Sequence, residues 1–300
     1  MGRVTLMGVG NPPAVVATFG FAIFGGGGAS TTDKYTYSGD TVGAGTSFSR
    51  SDTDGASFGN TTKGIWAGGN ISGASTTNVT DKYTYSGDAV AAGGNLSYSV
   101  AGGRGFGNST VGYSAAGENP LGTNIGTTSK YTYGSDTAAT ATTLTGSARR
   151  YPSASSTATI GYVYGGYVSG DVTTTDKYTI SGDTCAAGTN INSALRCQAG
   201  AGNTTKSIQA GGVLGVTTVS KYTYSGDTAA AGTALSAGRY YASAADTSTV
   251  GYVASGLNSS SSGLTSTEKY TFSGDTVGAG TALGTARTAG SNLSGTPGGF

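Results

Sequence analysis

Six aspartates close the same short turn along this chain, at Asp40, Asp88, Asp136, Asp183, Asp227 and Asp275. Carboxylates in a repeated setting raise two chemistries, calcium binding and acid–base catalysis. Calcium takes six to eight oxygens, and one carboxylate per turn is too few for such a cage. The competing reading is that each Asp caps its own turn through nearby backbone groups, and this is the expectation adopted. Glycoside hydrolysis needs two carboxylates on one site. Glutamate is confined to Glu118 and Glu268, and the repeated aspartates are dispersed. The sequence contains no His, which removes Ser-His-Asp and Cys-His catalysis together with the commonest metal ligand. Cys185 and Cys197 are the two cysteines. Cys185 stands where other copies have Val or Ala, so a small core residue is expected there. Cys197 is expected as a free thiol near a central channel. Zinc lacks its three or four ligands. No cofactor and no enzymatic activity are expected.

Arginine supplies the best binding candidates: Arg149, Arg196, Arg239 and Arg287. A guanidinium at a channel mouth can engage carboxylates, sulfates or sugars. The competing reading has each bonded to backbone carbonyls of a neighbouring sheet.

These residues recur because the chain repeats. Lys-Tyr-Thr stands at Lys34, Lys82, Lys130, Lys177, Lys221 and Lys269, at intervals of 48, 48, 47, 44 and 48 residues. Each Lys is followed by Tyr35, Tyr83, Tyr131, Tyr178, Tyr222 or Tyr270. A second large residue follows two positions later, at Tyr37, Tyr85, Tyr133, Ile180, Tyr224 or Phe272. Alternation of this kind puts both large side chains on one face of a strand and Lys and Thr on the other. The triplet Ser-Gly-Asp, Gly-Ser-Asp in the third copy, predicts a hairpin with Gly at positive φ. The next strand is small and apolar and is expected to close on Phe48, Leu96, Leu144, Ile191, Leu235 or Leu283, each fourteen residues after its Lys. A strand of small residues and an apolar strand ending in a small pair, such as Ile65-Trp66-Ala67-Gly68-Gly69, complete a four-stranded unit.

Composition agrees with an all-β chain. Charged residues make up 10%, while 55 Gly, 19 Tyr and many β-branched residues disfavour helix and suit strands. A net charge of +1 without basic runs gives no footprint for nucleic acid. The apolar patches Val4–Gly10 and Ala14–Phe24 are divided by Asn11-Pro12-Pro13 and are too short for a membrane span. No signal-peptide cleavage site follows them, so export by that route is not expected.

The Arg, Gly-Gly, Tyr and large apolar positions together resemble the kelch repeat, over residues from about 20 to 295. The usual Trp of the fourth strand is replaced by Leu, Ile or Phe, Arg104 is displaced in the second copy, and two Gly doublets are degraded. The resemblance implies a six-bladed β-propeller, all-β, with four antiparallel strands per blade. Sheets of this size bury both faces only by stacking radially, with small residues where strands crowd the axis. The stretch 287–293 matches a first strand and is expected to close the first blade. Residues 1–13, interrupted by two prolines, are expected to form an attachment arm outside a single propeller spanning 14–300. Kelch-type oxidases use His-bound copper and a Tyr–Cys pair, which does not carry over to a chain without His.

The Ser/Thr/Gly/Ala-rich Lys-Tyr-Thr-Tyr-Ser-Gly-Asp repeat is also similar in style to structural proteins of tailed bacteriophages. That resemblance implies a virion protein of the tail, fibre or capsid surface, held to other virion proteins by the arm and contacting a host-surface glycan or protein. A cellular carbohydrate-binding or adhesive module, extracellular, and a cytoplasmic kelch-like interaction scaffold are the alternatives. In each, recognition is expected on the variable loops, such as Gly256–Thr267 and Asn70–Thr80.

Overall fold

In each repeat the third strand fixes the architecture. Its pleat sends Tyr35 or its counterpart to one side and Lys34 or its counterpart to the other. Both sides are covered by another sheet, because the units stand radially around one axis as a six-bladed β-propeller. The computed structural model describes residues 20–71 and 75–287, and within them every helix or strand assigned is a β-strand.

Blade 1 shows three strands, Phe21–Gly25, Thr32–Thr36 and Thr41–Gly45. Blade 2 is built from Ala56–Gly59, Lys63–Ala67, Thr80–Thr84 and Ala89–Ala92, with a small hairpin of Asn70–Ile71 and Ser75–Thr76 between its second and third strands. Blade 3 comprises Arg104–Gly107, Val111–Ala115, Thr128–Thr132 and Thr137–Ala141. Blade 4 comprises Ser153–Ser156, Ile160–Tyr164, Thr175–Thr179 and Thr184–Gly188. Blade 5 comprises Ala199–Gly202, Lys206–Ala210, Val219–Thr223 and Thr228–Ala231. Blade 6 comprises Ser243–Asp246, Val250–Ala254, Thr267–Thr271 and Thr276–Gly280. All pairings within the blades are antiparallel between consecutive strands, for example Phe106↔Tyr113, Tyr113↔Lys130 and Lys130↔Ala139. The arm at 1–13 and, beyond Arg287, the strand expected to close blade 1 lie outside the described residues.

The innermost strands are small because those of neighbouring blades crowd each other around the axis. A Cβ on Gly105 would run into the Ser57 carbonyl of blade 2, and one on Gly200 into that of Ala154 in blade 4. Outer strands lie on the circumference and are half-exposed or exposed. Between blades, the repeated Tyr side chains are buried and pack backwards onto the preceding blade, as Tyr35 does on Tyr252. Each such burial contributes roughly 1.5–3 kcal/mol.

Two expectations about the hairpin and its exit are corrected by the backbone. The residue at positive φ is the Asp, between 47° and 51° in all six turns, and the preceding Gly or Ser is not. Asp tolerates the left-handed region because its short polar side chain bonds locally. The large apolar residue after the fourth strand is not on it: Phe48 lies beyond Gly45, in the crossover to the next blade. The six residues nevertheless do one job. Each is buried, and its amide donates to a carbonyl eighteen residues earlier, as in Phe48 to Ser30 at 2.8 Å and Leu283 to Thr265 at 2.8 Å.

The Asp carboxylates are taken by lysines of the preceding blade. The pairs are Lys34–Asp88, Lys82–Asp136, Lys130–Asp183, Lys177–Asp227, Lys221–Asp275 and Lys269–Asp40, at 3.4, 2.6, 2.7, 2.8, 2.5 and 2.6 Å. The last pair joins blade 6 to blade 1, so the ion pairs form a closed ring. Tyr35 donates to Asp40, Tyr131 to Asp136, Tyr178 to Asp183 and Tyr222 to Asp227, which ties these four turns to their own strands.

Lys269 and then Tyr35, by hydrogen bonding, hold the Asp40 carboxyl down at about 2. An acid lowered by folding stabilises the fold above its ordinary range, about 4, and that contribution is lost as pH falls toward 2. Asp40→Asn keeps a residue suited to left-handed backbone while removing the charge. It is expected to lower the melting temperature by about 1–2 °C at pH 7, solvent screening the exposed pair, with the difference from wild type shrinking toward pH 2, as followed by circular dichroism.

Candidate functional site

The loops leading into the inner strands and the loops joining second to third strands lie on one face of the ring. Bridges Thr53↔Asn70, Ala101↔Glu118, Arg150↔Tyr167 and Tyr240↔Leu257 stitch the two kinds together. This is the crossover face, and the sequence-selected arginines all lie on it.

Three of the four are structural. Arg149, Arg239 and Arg287 are buried, each pairing with an acid of the third strand: Asp176 at 2.7 Å, Glu268 at 2.8 Å and Asp33 at 2.7 Å. Their terminal nitrogens also donate to carbonyls of the blade being entered, Val163 for Arg149, Ser255 and Ser266 for Arg239, and Gly26 and Thr31 for Arg287, while the Nε of each is buried without a hydrogen-bond partner. The carbonyls thus belong to the blade that the loop enters. No face of these three guanidiniums is left open to a ligand, since side-chain exposure is 0, 0 and 1%. Arg287 grips blade 1 as Arg239 grips blade 6, which brings the end of the described chain to the inner edge of the first blade.

The acids that hold these arginines were not singled out from sequence, although a signal exists. The residue before each repeated Lys is Asp33, Asp81, Asp176 or Glu268 in blades 1, 2, 4 and 6, and Ser129 or Ser220 in blades 3 and 5. In each of the four blades that carry the acid an arginine from the crossover pairs with it, Arg50 meeting Asp81 in blade 2 at 3.7 Å as well as Asp52 at 2.5 Å. In blades 3 and 5 the position of Arg149 and Arg239, four residues before the inner strand, holds Val100 and Leu195. Each acid also fastens the crossover. Asp176 accepts from Thr145 Oγ1 and the Gly146 amide, and Glu268 from the Ser236 and Ala237 amides. Burial would raise the Asp176 carboxyl, but Arg149 and those hydrogen bonds outweigh it and hold it below the ordinary range.

Arg196 differs because it stands one position later than its supposed counterparts. It pairs with Asp171 of blade 4 at 2.7 Å and lies over the Tyr167 ring at 4.5 Å. Arg150, its true equivalent in blade 4, pairs with Glu118 at 2.5 Å and lies 5.3 Å from the same ring. Two half-exposed guanidiniums on one half-exposed tyrosine make the charged part of the crossover face.

Nearer the axis, each loop puts one residue into the left-handed backbone region two positions before the inner strand: Asp54, Gly102, Tyr151, Cys197 and Tyr241. Their backbones form a chain around the axis, Gly102 N to Asp54 O, Tyr151 N to Gly102 O, Cys197 N to Tyr151 O and Tyr241 N to Cys197 O, at 2.7–3.0 Å. Tyr151 of blade 4 and Tyr241 of blade 6 touch edge to face at 5.6 Å, so their rings converge over the axis. Burial pushes the Cys197 thiol up to about 12, and neither it nor half-buried Cys185 is in a disulfide. An unreactive thiol follows. Burial raises the Asp54 carboxyl to about 6, with Arg104 opposing and Glu118 adding to the rise.

The six turn aspartates lie on the opposite face, one per blade, committed to the lysine ring. Among the described residues, no three His, Cys, Asp or Glu side chains gather in a geometry for a metal ion. No helix there is long and apolar enough to cross a membrane.

No family model matches the chain, and no curated protein sequence does. Among solved structures, that of YjhT is similar in fold, with a TM-score of 0.74, 11% sequence identity, and coverage of 90% of this chain and 99% of the other. At that identity the likeness establishes the six-bladed architecture and nothing about activity.

Two measurements test this arrangement. Arg239→Met strands Glu268 as a buried, unpaired charge, and should cost about 3–5 kcal/mol in urea unfolding. Arg239→Met with Glu268→Gln should recover a large part of that loss. For Asp54, a carboxyl raised on folding penalises the folded state above about pH 6, and the penalty vanishes below the ordinary range near 4. Asp54→Asn should therefore raise the melting temperature at pH 7–8 and leave it close to wild type at pH 4.

Proposed function

We propose that this chain is a non-enzymatic binding propeller carried on the particle of a tailed phage. The observation that carries the binding part is the contrast between its two faces. On the turn face the charged side chains are spent on joining blades, in the lysine–aspartate ring and in Lys63 and Lys206, which bond carbonyls of the next blade. The crossover face instead carries loops of differing length, among them 26–31, 116–127, 165–174, 211–218 and 255–266, together with residues 68–71 and 75–79. All three exposed large apolar residues of the described chain, Ile71, Leu121 and Leu214, stand on those loops.

Such loops suit recognition because they are held rather than floppy. Asn119 Oδ1 accepts from the Leu121 and Thr123 amides, and Asn258 Oδ1 from those of Ser260 and Ser262. A pre-ordered loop loses less entropy when a partner docks. The particle context rests on the phage-like style of the repeat and on residues 1–13 as the attachment arm, with a host-surface glycan or protein as the partner.

An antibody against the full chain should label purified particles from cells that carry its gene. Particles assembled with Leu121→Ser and Leu214→Ser together should adsorb to host cells several-fold more slowly. A chain lacking residues 1–13 should fold and be left out of particles. Absence of the chain from purified particles would overturn the virion reading, and unchanged adsorption by the double variant would overturn recognition by this face.

A further inference from the structure

At the circle of left-handed residues and just beyond it, two charged side chains are buried with unmatched hydrogen-bonding atoms. Arg104, the first residue of the inner strand of blade 3, is 3% exposed; its Nη1 donates to the Gly103 carbonyl at 2.8 Å, while Nε and Nη2 have no partner. Asp54, two residues before the inner strand of blade 2, is 6% exposed and its Oδ1 is also unpartnered. Among the described residues no ion pair joins the two. They nevertheless act on one space. The Gly102 amide, two residues before Arg104, donates to the Asp54 carbonyl at 2.8 Å, and the positive charge of Arg104 opposes the rise that burial imposes on the Asp54 carboxyl and the Cys197 thiol, which belong to blades 2 and 5.

Buried unmatched donors and acceptors each cost free energy, and native proteins fill such positions with water, an ion or a ligand. The chemistry of these two narrows the choice. The Nε–Nη2 edge of a guanidinium is the side that holds a carboxylate through two parallel hydrogen bonds. Asp54 Oδ1 accepts a hydroxyl or ammonium proton. A bare metal cation is disfavoured beside the Arg104 charge, with one free carboxylate oxygen to hold it. Tyr151, whose ring packs on Gly102, and Tyr241, in contact with it, are part-exposed and belong to the same circle of loops.

We propose that the axis of the crossover face binds a small carboxylic acid carrying a hydroxyl or ammonium near its carboxylate. Its carboxylate lies on the Nε–Nη2 edge of Arg104 and its donor on Asp54 Oδ1. This rests on the reading of the chain as a binding propeller and gives that reading a second, small-molecule ligand. It uses none of the exposed loop residues.

The test is isothermal titration and thermal shift of the full chain with glycolate, glycine and acetate at constant ionic strength. Glycolate or glycine should bind saturably and more tightly than acetate. Arg104→Lys keeps the charge and loses the planar edge, and should weaken binding about tenfold or more, equivalent to roughly 1.4 kcal/mol. Asp54→Asn should narrow the preference over acetate, and serves as the informative variant should Arg104→Lys fold poorly by circular dichroism. Absence of saturable binding by the wild-type chain, or undiminished binding by Arg104→Lys, would overturn the proposal. So would a crystal soaked in glycolate and glycine that shows only water between Arg104 and Asp54. Particle labelling and adsorption are read separately, so failure here is distinguishable from failure of the virion reading.

Discussion

Each blade is a sheet too thin to bury itself, and the pleat of its third strand makes it depend on both neighbours at once. Tyr and Lys are adjacent in sequence, so they must leave the strand on opposite sides. Tyr packs backwards and Lys reaches forwards to an aspartate on the next turn, as Lys130 does to Asp183. Six such links have no free end, because Lys269 returns to Asp40. Single pairs of this exposure are worth little. Their effect comes from being joined to the buried tyrosines in one closed circuit, where opening one seam exposes apolar surface on two blades.

The two faces divide the remaining work. The turn face is regular because its geometry is set by a repeated tetrapeptide whose Asp accepts the left-handed backbone. The crossover face is irregular, and its charges follow a rule that varies by blade. Where the third strand carries a buried acid, an arginine enters with the crossover and neutralises it; where it carries Ser129 or Ser220, the arginine is replaced by Val100 or Leu195. Breaking one half of such a pair is costly, so acid and arginine are kept or lost together. Of the guanidiniums outside this rule, Arg150 and Arg196 are part-exposed on the crossover face and paired with Glu118 and Asp171, while Arg104 is buried with Nε and Nη2 unpaired.

How far the sequence spoke can be judged residue by residue. The spacing of Lys-Tyr-Thr and the alternation around it located the third strands and the buried faces of Tyr35 and its counterparts correctly. The turn was placed correctly as well, with the positive φ assigned to the wrong residue, since Gly and Asp both tolerate it and only the backbone path selects one. Phe48 and its counterparts were recognised as core but put on the fourth strand, because periodicity marks burial and does not mark where pairing stops. Arg149 and Arg239, expected to open the inner strands at a channel mouth, stand four residues before Ser153 and Ser243, on the crossovers. What could not be read was their partner, 27 to 29 residues further along for Arg149 and Arg239 and across the ends of the chain for Arg287.

The sequence by itself determined the number of units, their four-strand grammar and the exclusion of histidine chemistry, because these depend on local pattern and composition. The tertiary structure alone decided which charges are spent and which are free. A buried arginine and a part-exposed one look identical in sequence; a shift of one position, as between Arg149 and Arg150, turns the side chain from full burial against Asp176 to a part-exposed pair with Glu118. Convergence at the axis was likewise invisible, since Asp54, Tyr151, Cys197 and Tyr241 come together only when five loops close around a common centre.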